Sequence, residues 1–160
     1  MEPSSNFTDR FRAYFERDIA QRAAETIADG AEIEFKIQLS NGSAVESFVF
    51  TRTNRKNEIR GAGANAPQLT FILTPEAAEL ILSDPAAEIG LIGINIFKLI
   101  LSPDANRRIS LKLHVGFITL FSKGYFGVLA KGGHQVASFL ASKGLDGLSA
   151  IKELLKKLKT

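Results

Sequence analysis

Apolar and polar residues change their spacing several times along this chain, and each change marks an element. Over residues 6–28, Phe7, Phe11, Tyr14, Phe15, Ile19, Ala23 and Ile27 recur at intervals of three and four. Asp9, Arg10, Glu16, Arg17 and Glu25 fall elsewhere on the circumference. The spacing predicts one amphipathic helix, capped by Asn6, favoured by Asp9 in its first turn and stopped at Gly30. The period then drops to two. Ile33, Phe35, Ile37 and Leu39 alternate with Glu32, Glu34, Lys36 and Gln38, as in a half-buried strand. Asn41-Gly42 is a tight-turn signal, so Val45–Thr53 returns as the hairpin partner. Its two faces carry Val45 and Val49 on one side and Phe48 and Phe50 on the other, which predicts cover on both.

Residues 57–62 and Gln68–Leu73 read as third and fourth strands. Thr74-Pro75-Glu76 then supplies an N-cap, a first-turn proline and an acid at the positive helix end, which starts a short helix over Pro75–Leu82. Asp84-Pro85 opens another in the same way. Ser102–Asn106 is a turn, after which Ile109, Leu111, Leu113 and Val115 alternate with Ser110, Lys112 and His114 in the clearest one-sided strand. Phe117, Phe121, Tyr125 and Val128 share a helical face, weakened by Gly124 and Gly127. Two further helices are predicted near Gln135–Ser142 and Leu148–Lys159. The class is α+β: a mainly antiparallel sheet of five strands with helices on one face. A helical bundle with a small hairpin is the competitor.

Two segments are too greasy for solvated loops. Ile89–Leu101 reads IGLIGINIFKLIL, with Lys98 its sole ionic residue. It is shorter than the roughly 20 residues a membrane-spanning helix needs. Either chain covers it, or it covers something apolar. The second segment runs from Gly116 to Leu129. At 160 residues the chain has the length of one domain. Twelve Phe against two Tyr and no Trp fill apolar space without polar atoms to satisfy, which suits a dry core or a dry pocket.

Charge changes the picture only at the ends. The net charge is +3, but acids crowd the first thirty-five residues and Lys152, Lys156, Lys157 and Lys159 crowd the last. The N-terminus lacks the basic start and apolar core of a signal peptide, so a cytoplasmic location is expected. With no cysteine there is neither a disulfide nor a thiolate site. His114 and His134 stand apart, without the ligand spacing of a zinc site. No serine sits in a Gly-x-Ser-x-Gly elbow, and Gly61-Ala62-Gly63-Ala64 lacks the third glycine of a dinucleotide loop. Arg107-Arg108 and the Arg52, Arg55, Lys56 group lie at turns without interleaved aromatics, which argues against nucleic acid. No catalytic residue, metal or cofactor is expected.

The order of elements resembles the sterol carrier protein-2 family. The best local match is QLTFILTPEAAELIL, residues 68–82, a Thr/Ile-rich strand running into an acid-capped short helix. Ile109–Val115 is similar to the family's last strand, followed here by Gly116–Leu129. Where the family typically continues into a polar segment and a Phe-Phe pair, Asp84-Pro85 fits, but the long run Gly90–Leu101 follows. The resemblance implies a lipid-binding domain over residues 1–133, with 134–160 as its helical extension. It implies non-catalytic binding and transfer of a lipid, fatty acyl or sterol/isoprenoid-like ligand in an apolar cavity, with a cavity enlarged or gated by the long run.

The lining expected on that basis is Phe71, Leu80, Ile89, Leu91, Ile92, Ile94, Phe97, Leu111, Leu113, Phe117, Phe121 and Phe126. His114, Thr119 or Tyr125 would orient the ligand's polar group. The same residues could instead fill a solid core, and periodicity does not separate the two. In that case the chain is an accessory interaction subunit of a lipid- or quinone-processing complex, with a dimer as one outcome. The tail has two readings as well. Leu148, Ile151, Leu155 and Leu158 form a stripe opposite Lys152, Lys156, Lys157 and Lys159, which suits peripheral contact with an anionic membrane or docking on the domain.

Overall fold

In a computed structural model, residues 6–61, 63–83, 89–100, 102–130, 138–139 and 141–142 are described. The chain opens with α1 (Phe7–Glu16) and α2 (Asp18–Ala23), then a meander of β1 (Glu32–Gln38), β2 (Ala44–Thr53) and β3 (Lys56–Gly61). Next come β4 (Leu69–Leu73), α3 (Pro75–Leu82), α4 (Ile89–Ile100), β5 (Ser110–Leu113), α5 (Phe117–Ser122) and α6 (Tyr125–Ala130). The class is α+β, with five strands in the order β3-β2-β1-β4-β5.

Turn chemistry sets the meander. Gly42 has φ +90° between β1 and β2, and the Ser43 N–H bonds the Asn41 side chain at 2.9 Å. Between β2 and β3, Asn54 and Arg55 both take positive φ, the primed turn that matches strand twist. The Asp29 carboxylate holds that turn by accepting the Arg55 N–H at 2.9 Å.

The expectation of a mainly antiparallel sheet holds for the pairings of β1 with β2, β2 with β3 and β4 with β5, but the sheet is mixed. Its central pair, β1 and β4, is parallel from Ile33↔Leu69 to Ile37↔Leu73. The chain leaves the edge strand β3 and crosses the start of β1 before entering β4. Glu32 pins that crossing: its carboxylate accepts the N–H groups of Asn65 at 3.1 Å and Ala66 at 2.9 Å. The Gln68 N–H bonds the Glu32 carbonyl at 2.9 Å. Entering beside the start of β1, β4 runs the same way as β1.

The single helix expected over residues 6–28 is also corrected. It breaks at Arg17, whose backbone is extended (φ −59°, ψ 147°). The cause lies far away in sequence. The buried Asn57 on β3 donates its amide hydrogens to the carbonyls of Phe15 at 3.0 Å, just before the break, and of Ala20 at 3.1 Å, which also accepts the Ala24 N–H. Its own carbonyl accepts from the Arg52 guanidinium at 2.6 Å. The break lets α1 lie on the sheet while α2 packs against α4.

One face of the sheet is aromatic. Phe35 and Phe48 stack at 4.9 Å between ring centres, and Phe11 of α1 meets them at 5.9 and 5.0 Å. Phe15 adds contacts to Phe35 and Phe50. Such pairs add to an already large apolar burial. The N-terminus of α1 is held by Glu46 of β2, which accepts from the Phe7 N–H at 3.0 Å and the Thr8 N–H at 2.6 Å. Arg10 forks onto Glu79 of α3, tying the two helices at 2.6 Å per bond.

The opposite face carries Glu34, Lys36, Lys112 and His114, and its buried Thr70 hydroxyl donates to Glu34 at 3.1 Å and lies 2.7 Å from His114 Nε2. Val49 and Thr51 are buried on this outer face as well, in register with Glu34 and Glu32. Thr74 caps α3 as expected, accepting the Ala77 N–H at 3.1 Å. The helix expected over 117–130 is two helices, because Gly124 takes φ +86° between them. The helix expected near Leu148–Lys159, and residues 134–160 as an extension, lie outside the described residues apart from short helical pieces at 138–139 and 141–142.

Candidate functional site

The aromatic face of the sheet is not filled throughout. A cavity of about 160 Å³ lies between it and the helices. Its floor is Ile33 and Phe35 of β1, Phe50 of β2, Leu69 and Phe71 of β4, and Leu111 and Leu113 of β5. These positions follow from strand alternation: they pair or neighbour one another on the helix side of the registers.

The walls come from the surrounding helices. Ala20 and Ala23 of α2, followed by Ala24 and Ile27, form one side, and Phe15 closes the corner against α1. Ile92, Gly93, Ile96, Phe97 and Ile100 of α4 form the roof. Their spacing is helical, so one face of the greasy run looks inward. Leu120, Tyr125 and Val128 complete the wall from α5 and α6.

Two close approaches hold α6 there. A Cβ on Gly93 would stand 2.7 Å from a Val128 methyl, and one on Gly127 would stand 2.3 Å from the Thr26 hydroxyl oxygen. Neither position has room for a side chain without movement.

The volume matches an apolar cavity known to stay dry and accept benzene, about 150 Å³. A six-membered ring or a short stretch of hydrocarbon fits as the space stands. Anything longer must part the helices or extend beyond them.

Among the described lining residues Tyr125 alone carries a polar side-chain atom. Its hydroxyl donates to Gln68 Oε1 at the entrance to β4. Burial, and secondarily the charge of Glu32, push the Tyr125 phenol well above its ordinary range. It stays protonated at any physiological pH.

Glu32 is held the other way. Burial would raise its carboxyl, but the Ala66 N–H, the Arg60 guanidinium at 2.5 Å and the Asn65 N–H outweigh burial, and the net direction is down. A depressed carboxylate contributes stability above the unfolded-state pKa of about 4.3 and loses it as pH falls through the lower folded value. Acid titration of the melting temperature is therefore expected to fall more steeply below pH ~4 in the native protein than in Glu32→Gln. Equal slopes would remove Glu32 as the anchor of the crossing.

Of the residues expected from the sequence, Phe71, Ile92, Phe97, Leu111, Leu113 and Tyr125 meet around this one cavity. Ile94 is buried in the core but does not line it, and Leu80 faces a separate depression with Tyr14, Ile81 and Lys98. Ile89 and Leu91 fall in α4, Phe117 and Phe121 in α5, and Phe126 in α6; their side chains lie outside the described set. His114 belongs to the outer face, bonded to Thr70. The membrane-contact residues Leu148, Ile151, Lys152, Leu155, Lys156, Lys157, Leu158 and Lys159 lie outside the described residues. Ala20 and Ala24 join Ala23 in the wall without a signal in the apolar pattern, because what marks them is small size rather than hydrophobicity.

Among the described residues no cluster of three or more His, Asp or Glu could hold a metal ion. No described helix is long and apolar enough to cross a membrane.

No protein-family model matches the sequence, and no curated protein matches it. Solved structures similar to it include a UbiJ-SCP2 ubiquinone synthesis protein, at 12% identity and a TM-score of 0.45 over 78% of this chain and 91% of that one. Another is the sterol carrier protein domain 2 of Helicoverpa armigera, at 17% identity and a TM-score of 0.48 over 84% of this chain and 94% of that one.

Proposed function

We propose that this chain binds a hydrophobic ligand in the cavity between sheet and helices, and carries it without chemical change. The single observation behind this reading is a space of about 160 Å³ whose described lining residues offer one polar side-chain atom. Native cores close such gaps, since lining atoms lose contact energy across a void. Ligand pockets, in contrast, are apolar with a few orienting polar groups. Release would follow contact with an anionic membrane surface, and the Lys- and Leu-rich stretch 148–159 has the composition for it.

The competing reading is an interaction subunit with a filled core, and one variant separates the two. Ala23 is buried on the cavity wall. If the space is a ligand cavity, Ala23→Leu fills it: the melting temperature holds or rises, and uptake of N-phenyl-1-naphthylamine falls at least tenfold. If the core is solid, the extra carbons overpack it and cost about 1–3 kcal/mol. Native mass spectrometry after mild purification supplies the second readout. Absence of both a co-purified lipid and saturable probe uptake by the unaltered protein would end the carrier reading.

A further inference from the structure

The polar end of the cavity is chemically one-sided. Among the described lining residues Tyr125 alone supplies a side-chain polar atom, and the phenol's one hydrogen is already given to Gln68 Oε1. What the phenol still offers a ligand is its oxygen lone pairs. A ligand group there must bring the hydrogen.

The surroundings sharpen this. Gln68 is fixed through its backbone, its N–H on the Glu32 carbonyl at 2.9 Å and its carbonyl on the His114 N–H at 3.0 Å. Glu32 stands close enough for its charge to act on Tyr125. Arg60 and the amides of Asn65 and Ala66 are engaged with the Glu32 carboxylate. Among the described residues none that lines the cavity is cationic. A carboxylate entering this end would meet a lone pair where it needs a donor, a negative charge nearby, and a low-dielectric wall whose described residues offer no counter-ion. Burying an unpaired charge is the costliest arrangement available.

We infer that the cavity selects amphiphiles with an uncharged hydroxyl head over anionic carboxylates of equal chain length, the head donating to the Tyr125 oxygen. This rests on the carrier reading above and adds the class of ligand to it. Aliphatic alcohols, sterol-like alcohols and monoglyceride-like heads share the required chemistry; free fatty acids at neutral pH lack it.

Displacement of N-phenyl-1-naphthylamine, a neutral apolar probe, tests it with decan-1-ol, sodium decanoate and 1-methoxynonane at pH 8. The alcohol is expected to displace the probe at least tenfold more tightly than decanoate, and severalfold more tightly than the ether, which has no hydrogen to give. Tyr125→Phe should erase the alcohol's advantage over the ether, both scored against that variant's own probe affinity, which a merely structural role would not do. Glu32→Gln serves independently of Tyr125: within that variant decanoate should gain severalfold relative to decan-1-ol. Equal displacement by all three compounds, or tighter binding of decanoate, overturns the head-group selection and leaves the carrier reading standing. No probe uptake by the unaltered protein removes both.

Discussion

Phe11→Ala is expected to be the most damaging truncation in the molecule, at about 3–5 kcal/mol of stability. Phe11 is 0% exposed and lies where α1 meets the sheet. Its ring contacts those of Tyr14, Phe15, Phe35 and Phe48 at centre distances of 5.0 to 6.2 Å. Removing it costs the transfer energy of the ring and leaves a hole that four aromatic neighbours cannot close at once. A domain of this size has about 5–15 kcal/mol in total, so this loss is a large fraction of it. Phe11 does not line the cavity, so the loss is one of scaffold rather than of ligand contact. Ile118, on α5 and 80% exposed, is the control. Ile118→Ala should fall within about 0.5 kcal/mol of the native protein. Urea denaturation of both variants checks the pair, and similar midpoints would remove Phe11 from the centre of the core.

Gly124→Ala should follow closely, through two separable costs. The first is conformational: Gly124 has φ +86°, where a side chain costs about 1–2 kcal/mol. The second is contact, since a Cβ there would stand 1.7 Å from the Thr26 carbonyl oxygen and 2.6 Å from its carbon. Backbone cannot yield as a flexible side chain does. The turn must move, and with it go the Thr26 hydroxyl bond to the Gly124 carbonyl at 2.8 Å and the Ala28 N–H bond to the Lys123 carbonyl at 2.9 Å. At about 1 kcal/mol net for each bond, the total approaches about 3–4 kcal/mol. Gly42→Ala isolates the first cost, because Gly42 has φ +90° and a Cβ added there would meet nothing within 4 Å. Equal destabilisation of the two variants would show that backbone conformation alone is at stake. A larger loss at Gly124, accompanied by altered probe uptake, would place the α6 interlock on the path into the cavity, since Tyr125 and Val128 ride on that helix.

Local chemistry is legible wherever it acts within a few residues. Thr74-Pro75-Glu76 bounds α3 at Pro75–Leu82, as its cap and first-turn signals require. Asn41-Gly42 closes the first hairpin, and the alternation from Ile109 places Leu111 and Leu113 on the cavity side of β5. The inward face of α4 is legible in part: Ile92 and Phe97 line the cavity, while Ile94 packs elsewhere in the core. Hydrophobicity says that a residue will be buried, but not against what.

Three features are decided by residues distant in sequence. The break at Arg17 depends on Asn57, whose amide takes two helix carbonyls from across the fold. The parallel pairing of β1 with β4 depends on Glu32 gripping the crossing at Asn65 and Ala66. Alternation carries no strand direction, so either pairing would have satisfied it. The cavity itself depends on volume. Ala20, Ala23 and Ala24 are short where a leucine would fill the gap, and Gly93 lets α6 approach until Val128 and Tyr125 join the wall. The linear pattern determined which residues leave water and in which kind of element. Whether they meet as a solid or around a space is a property of their summed shapes, which exist only once the chain has closed.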